Sequence, residues 1–242
     1  MLEKGSYEHI CRTADSVPEA AYSRFRPEFG ARLGSVTSVM FPEFARAFPL
    51  TVMAMEAEWS VPVACLEYHH RSSVWLTSLV LERPELNLFF DLHGRDFEDE
   101  GDFYESAHAM LPKRWRELYR SFESFVITSG SVQPMGWLNT PYSYSGRLDV
   151  EELRQAVGAT RAQARGLTAA VGSDRLMCWM LTEHGDALLL DEGRCDHKVY
   201  HVRGKLLSDV VVLADGEGVL DRYLSALVAS GAPKLEFDFR GS

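Results

Sequence analysis

The sequence predicts an α+β fold: a mostly antiparallel sheet packed by helices, with a C-terminal helix closing the sheet. Three observations carry that expectation. Residues 175–182, 187–190, 198–202 and 206–213 are short apolar runs, the first pair joined by Glu183-His184-Gly185-Asp186, a hairpin turn of the kind Gly and Asp favour. Val219, Leu220, Tyr223, Leu224, Leu227 and Val228 then fall on one helical stripe suited to packing on a sheet. Three further runs, 61–68, 74–81 and 86–92, are rich in Val, Leu and Phe and are separated by His-His-Arg-Ser-Ser and Glu-Arg-Pro-Glu.

Taken in chain order, residues 7–14 read as a helix, followed by a second that opens at Pro18 and Glu19, where proline suits the first turn, and is interrupted by Pro27. A short helix is expected over 42–48, flanked by Pro49. The three apolar runs follow as strands, although the middle one could equally be a buried helical turn. Residues 103–110 read as helical. A helix from Lys113 to about Ser124 would bury Trp115, Leu118, Tyr119, Phe122 and Phe125, which recur three or four apart, and 125–128 is a short strand candidate. The Gly, Pro, Ser and Asn of 130–146 predict a loop with little regular structure. Asp149 stands where a helix N-cap belongs, with Glu152 three residues on, opening a helix over 150–157. Asp215 and Gly216 open the closing helix.

Length and composition set the outer limits. At 242 residues the chain allows one large domain or two small ones. Folding at this size buries roughly 70–75% of the unfolded surface, enough for a core that needs no metal or disulfide. A 46% apolar fraction and 27 aromatic residues describe a globular chain. The net charge of −10 disfavours a nonspecific nucleic-acid binder, which works through many Lys and Arg contacts to phosphate.

That acidity is uneven. Residues 1–110 carry nine basic and eighteen acidic side chains, whereas 111–242 carry sixteen and seventeen. Within the acidic half, Asp91, Asp96, Glu98, Asp99, Glu100, Asp102 and Glu105 face one fixed cation, Arg95. Cys11, Cys65, Cys178 and Cys195 form no CxxC pair, so free thiols are expected. The N-terminus lacks the charged and apolar regions of a secretory signal, and no apolar run approaches 18 residues; the expectation is a cytoplasmic protein.

No catalytic or metal pattern is complete. Cys195, His197 and His201 would share one face of an extended strand, but i to i+4 spans roughly 13 Å, too far for three ligands on one zinc. Asp96, Glu98, Glu100, Gly101 and Asp102 fit positions 1, 3, 5, 6 and 7 of a calcium loop, yet position 12 is Ala107 where a bidentate carboxylate is needed. There is no GxSxG, GxxxxGK[ST] or HExxH. The expectation is therefore no catalytic residue, no metal and no cofactor.

The arrangement from Leu111 onward resembles the SUKH superfamily. The residues that carry it are Leu111-Pro112 opening an aromatic helix, His184-Gly185-Asp186 before Ala187-Leu188-Leu189-Leu190-Asp191, the strand Lys198-Val199-Tyr200-His201-Val202, and Leu213-Ala214-Asp215 leading into Val219-Leu220-Asp221-Arg222-Tyr223-Leu224. The resemblance covers roughly residues 108–230. The Asn-Gly usual after the first helix is missing, and so is the Phe after Asp215. It implies a bacterial immunity protein that neutralises a cognate toxin by stoichiometric binding, with no catalysis of its own. Residues 108–242 would be the SUKH-like domain and 1–107 a mixed N-terminal portion, separate or part of the same domain.

On that reading the acidic residues from Asp91 to Glu105 are candidates to dock on a basic toxin surface, since a cationic partner would relieve their self-repulsion. Trp137, Tyr142 and Tyr144 are a second candidate surface. Neither nucleic acid nor membrane is an expected direct partner. Two rivals stand beside it: an effector-specific adaptor or chaperone, and a small hydrolase using the His and carboxylate groups of residues 67–105, His93 and Asp96 among them.

Overall fold

A computed structural model of the chain describes residues 9–22, 27–69, 74–84, 86–92, 111–129, 134–135, 148–182, 184–194, 196–203, 206–231 and 235–241. Helices pack with two antiparallel sheets, as the α+β reading expects. The first sheet runs β1 (His9–Cys11), β2 (Val63–His69), β3 (Val74–Arg83), β4 (Leu86–Leu92), β5 (Phe122–Ser129) and β6 (Pro134–Met135), in that spatial order. The second runs β7 (Leu148–Asp149), β8 (Leu176–Leu181), β9 (Ala187–Asp191), β10 (Val199–Val202) and β11 (Val210–Val212). Both are meanders in which neighbours in sequence are neighbours in space, the simplest connection an antiparallel sheet permits.

A 3₁₀ turn (Ala14–Ser16) and five helices lie between β1 and β2: α1 (Glu19–Tyr22), α2 (Pro27–Arg32), α3 (Thr37–Met40), α4 (Pro42–Ala47) and α5 (Pro49–Glu58). Proline opens α2, α4 and α5, where its missing N–H costs nothing. Helix α6 (Lys113–Ser121) leads straight into β5, and α7 (Val150–Val157) and α8 (Arg161–Val171) connect β7 to β8. The closing helix, α9 (Val219–Ser230), follows β11.

Several boundaries differ from the sequence reading. Residues 9–11 are a strand, not part of a helix, because Ile10 and Cys11 pair with Cys65 and Ala64 on the edge of β2. Local helical period loses there to tertiary pairing. Helix α6 stops at Ser121, and Phe122 and Phe125 belong to β5, opposite Leu92 and Phe90 of β4. Residues 206–209 form a turn, closed by Leu206 N–H to Arg203 O and Asp209 N–H to Leu206 O, so β11 is shorter than the apolar run. Residues 214–218 are also a turn, in which Asp215 Oδ1 accepts Gly218 N–H at 2.8 Å, and α9 begins at Val219. Residues 134–135 add a short strand inside the expected loop; the rest of 130–146, and the helix expected over 103–110, fall outside the described residues.

The capping box at α7 forms as its sequence dictates. Asp149 Oδ1 accepts Glu152 N–H at 2.8 Å and Glu152 Oε2 accepts Asp149 N–H at 2.9 Å. Thr160 and Gln163 repeat the device at α8.

Burial orders these elements into layers. Leu153, Val157, Ala164 and Leu167 of α7 and α8 pack on one face of the second sheet through Leu176, Cys178, Ala187, Leu189, Tyr200 and Val202. The alternate residues Leu188, Leu190 and Val199 point the other way, into a cluster with the apolar stripe of α9. A bulge between Cys178 and Met180 places both Trp179 and Met180 in that second cluster. The same cluster continues through Phe44, Phe48, Val52 and Met55 of α4 and α5 to Leu66, Leu79, Leu81 and Leu88 of the first sheet. One contiguous core thus draws on both the 1–107 and the 108–242 portions. Val63, Cys65 and Val80, with Ile10 against them, occupy the opposite face of the first sheet.

Candidate functional site

Of the sequence-predicted interface residues, only the backbone of Asp91 is described: it lies in β4 opposite Ser78 of β3 and Ser124 of β5. Its side chain lies outside the described residues, as do Asp96, Glu98, Asp99, Glu100, Asp102, Glu105, Trp137, Tyr142 and Tyr144, and His93 of the hydrolase reading.

Their buried polar groups hold the fold. Asp221 on α9 is 2% exposed and serves the N-terminus of α5. Helix α5 has Phe48 at its N-cap, which supplies no capping side chain. Asp221 fills that role from across the core, with Oδ1 accepting Thr51 N–H at 2.9 Å and the Thr51 hydroxyl at 2.8 Å, and Oδ2 accepting Leu50 N–H at 3.3 Å. The carboxylate thus satisfies orphan donors at the positive end of the helix dipole. Arg114 of α6 completes the junction, donating from Nη2 to Asp221 Oδ2 at 3.2 Å and from Nε to Ala47 O, the end of α4, at 2.7 Å.

The far end of α9 is held by the first sheet side. Trp59 Nε1–H donates to Val228 O at 3.1 Å, and Arg83 Nη1 donates to Ala229 O at 2.9 Å. Asp191 is similarly occupied, accepting the Ser173 hydroxyl at 2.7 Å and Gly193 N–H at 2.8 Å and pairing with Arg194 at 3.2 Å.

The residues of the zinc pattern separate. His201 points into the core from β10, whereas His197 sits in a left-handed turn (φ 52°) before the strand begins, and Cys195 lies outside the described residues. Among the described residues, no three His, Cys, Asp or Glu side chains are grouped to hold a metal ion. Cys11, Cys65 and Cys178 are free and buried. Burial, followed by the nearby Cys11 and Glu82, pushes the Cys65 thiol up to about 12, and burial alone outweighs a backbone hydrogen bond to do the same at Cys178. These thiols are apolar core members with little thiolate to offer as nucleophile or ligand at neutral pH.

One surface stands apart. Thr51, Val52 and Met55 of α5 face the core, and Leu50, Met53 and Ala57, at i, i+3 and i+7, form a stripe on the opposite face. Leu50 is 41% exposed and Met53 66%. Val36, which precedes α3, and Val39 within it are 41% and 50% exposed, so four of the seven large exposed apolar side chains among the described residues lie within one eighteen-residue stretch. Ser38 N–H donates to Glu56 Oε1 at 2.7 Å, tying the α3 turn that carries Val39 to the α5 turn that follows Met53.

A helix apolar on every side is normally buried on every side. Here the outer side is open, and carboxylates flank it: Glu43 pairs with Arg46, and Glu56 and Glu58 sit in the last turn of α5, where Glu56 accepts Ser38 N–H and Glu58 lies 3.9 Å from Arg83 Nη2. No amphipathic stripe marks α5 in the sequence. The available signal was the combination of Pro49 at a helix start with Leu-Thr-Val-Met-Ala-Met behind it.

Among the described residues no helix is long and apolar enough to cross a membrane. A scan of protein-family models, a search of curated proteins and a search of solved structures each returned no match.

Proposed function

We propose that the chain is a SUKH-like bacterial immunity protein that acts in the cytoplasm by binding a cognate toxin stoichiometrically. The observation that carries this reading is the outward stripe of α5. Leu50, Met53 and Ala57 keep apolar surface in water beside Val36 and Val39, at a cost in solubility that docking to a protein partner removes. Methionine suits such a face because its unbranched, polarizable side chain adapts to an irregular partner.

Electrostatics supports a cationic toxin. The stripe is edged by Glu56 and by Glu58, the latter paired with Arg83, and the chain carries −10 overall, most of it in the first 110 residues. A basic surface would be steered toward this half and away from copies of the chain itself. The buried carboxylates Asp221 and Asp191 already have fold-holding partners.

The test is co-expression with the product of the adjacent reading frame, scored by growth and by isolation of the complex. Rescue of growth together with a 1:1 complex is the expected result. A complex without rescue would replace this reading with an adaptor, and turnover of a small substrate dependent on His93 or Asp96 would replace it with a hydrolase.

A further inference from the structure

The segment 235–241 ends the described chain as a strap across the α9 side of the second sheet. Phe239 is buried, its ring 5.0 Å from the His201 ring and 5.2 Å from Tyr223 of α9, and Phe237 meets both Phe239 and Tyr223 edge-on. Arg240 fastens the strap. Its Nη1 pairs with Asp209 Oδ1 at 2.9 Å, its Nη2 donates to Asp209 O at 2.9 Å, and its Nε donates to His201 Nδ1 at 3.0 Å.

That last bond fixes the state of His201. A guanidinium has no acceptor, so Nδ1 must present a lone pair and the ring proton must sit on Nε2, which lies 2.9 Å from Asp186 Oδ1. His201 is 1% exposed. The groups around it are Asp186 at Nε2, Arg240 at Nδ1 with Asp209 behind it, the Phe239 ring with Tyr223 beyond, and, in the ladders, the uncharged Val211 of β11 and Leu188 of β9.

We propose that the strap is an acid-released latch, opened when His201 takes up a second proton. The sign follows from which groups move. Arg240 and Phe239 belong to the strap, whereas Asp186 belongs to the turn before β9. Release takes away a like charge and a donor aimed at Nδ1, and it lets water reach the ring, yet leaves the favourable carboxylate in place. The released state therefore binds the proton more tightly than the docked state, and by linkage acid favours release, with the open-to-docked ratio rising by at most about tenfold per pH unit for one proton. The imidazole is the side chain whose ordinary titration falls between pH 5 and 8. Opening uncovers Phe237, Phe239 and Tyr223, an aromatic surface on the side opposite α7 and α8.

The experiment is ¹⁵N NMR of the full chain from pH 8 to pH 5, reading the His201 ring nitrogens and the backbone order parameters of residues 237–240. Expected at pH 8 are a protonated Nε2, an unprotonated Nδ1 and a rigid strap; toward pH 5 the strap residues should fall below about 0.6 in order parameter with the midpoint of the His201 titration. His201→Gln, which keeps a polar partner and cannot titrate, should hold the strap docked across the range, and Arg240→Ala should free it at every pH while raising the His201 midpoint. A strap that stays rigid while His201 protonates would overturn the proposal, as would an opening midpoint unchanged in His201→Gln.

Discussion

Asp221 of α9 caps α5 through Thr51, 170 positions away in the chain, taking both the backbone N–H and the hydroxyl of that residue on one carboxylate oxygen. The contact fixes where the closing helix of the second sheet meets the helical layer of the first. With Arg114 joining the end of α4 to the same carboxylate, three helices from three parts of the sequence are oriented by one buried side chain. Thr51 is turned inward with the buried Val52 and Met55, which leaves Leu50 and Met53 on the outer stripe of α5.

Asp221→Ala should therefore be the most damaging single polar change among the described residues. It leaves Thr51 and Leu50 N–H groups without an acceptor and Arg114 without its anion, and breaking a buried pair of this kind costs about 3–5 kcal/mol. Asp221→Asn keeps an acceptor oxygen and should lose less, about 1–2 kcal/mol. Urea unfolding midpoints of the two variants check the order; a loss under 1 kcal/mol for the alanine variant would show that α5 does not need this cap.

The buried thiols give a pH expectation. Cys65 and Cys178 are held up at about 12 in the fold, well above the 8.5 of an exposed thiol. Their contribution to stability is fully present below about 8.5 and is lost as pH rises from there through about 12, because the unfolded chain releases the protons first. Unfolding free energy should fall steadily over that window and recover in part in Cys65→Ser/Cys178→Ala only if the seryl hydroxyl and the cavity are tolerated, so the cleaner readout is alkylation. At pH 8 iodoacetamide followed by mass mapping should label neither residue in the native chain and both after urea; rapid native labelling would contradict the burial.

Much of the second half was legible because its local and tertiary preferences agree. Asp149 and Glu152 form the capping box their spacing announces, and the six apolar positions of α9 are all buried. Legibility failed where distant pairing decided. Residues 9–11 are a strand because β2 offers an edge, and Phe122 and Phe125 continued a helical period that β4 overrides. The α5 surface was illegible for a different reason: a helix apolar on both faces has no periodic signature, and its inner face is set by tertiary partners, Asp221 among them, far along the chain. No local pattern announces that a helix cap will come from another helix.

Gly216 marks a close approach. A Cβ there would lie 2.7 Å from Val199 Cγ2 and 2.8 Å from Val199 Cβ, inside any allowed carbon contact. Gly216→Ala should cost about 1–3 kcal/mol through overpacking at the junction of β10 and the turn before α9. Adding Val199→Gly, which removes both clashing carbons, should restore part of that loss, so the double variant is more stable than the sum of the single effects. Thermal unfolding of the four-member cycle tests it, and strict additivity would mean the backbone, not Val199, absorbs the clash.

The outer stripe of α5 separates binding from stability. Leu50 and Met53 are solvent-facing, so Leu50→Ser/Met53→Ser should change the unfolding free energy by no more than about 0.5 kcal/mol per site. If this face docks the partner, the same pair should weaken the complex by at least about tenfold, the loss expected when centrally placed apolar anchors are truncated. Glu56→Gln/Glu58→Gln should act differently, lowering the association rate and flattening its salt dependence while leaving dissociation nearly unchanged, because rim charges steer encounter more than they hold the complex. Stopped-flow association and dissociation rates with the isolated partner at several salt concentrations distinguish the two patterns. Wild-type rates in the Leu50→Ser/Met53→Ser chain would move the interface away from α5, toward the acidic residues between Asp91 and Glu105.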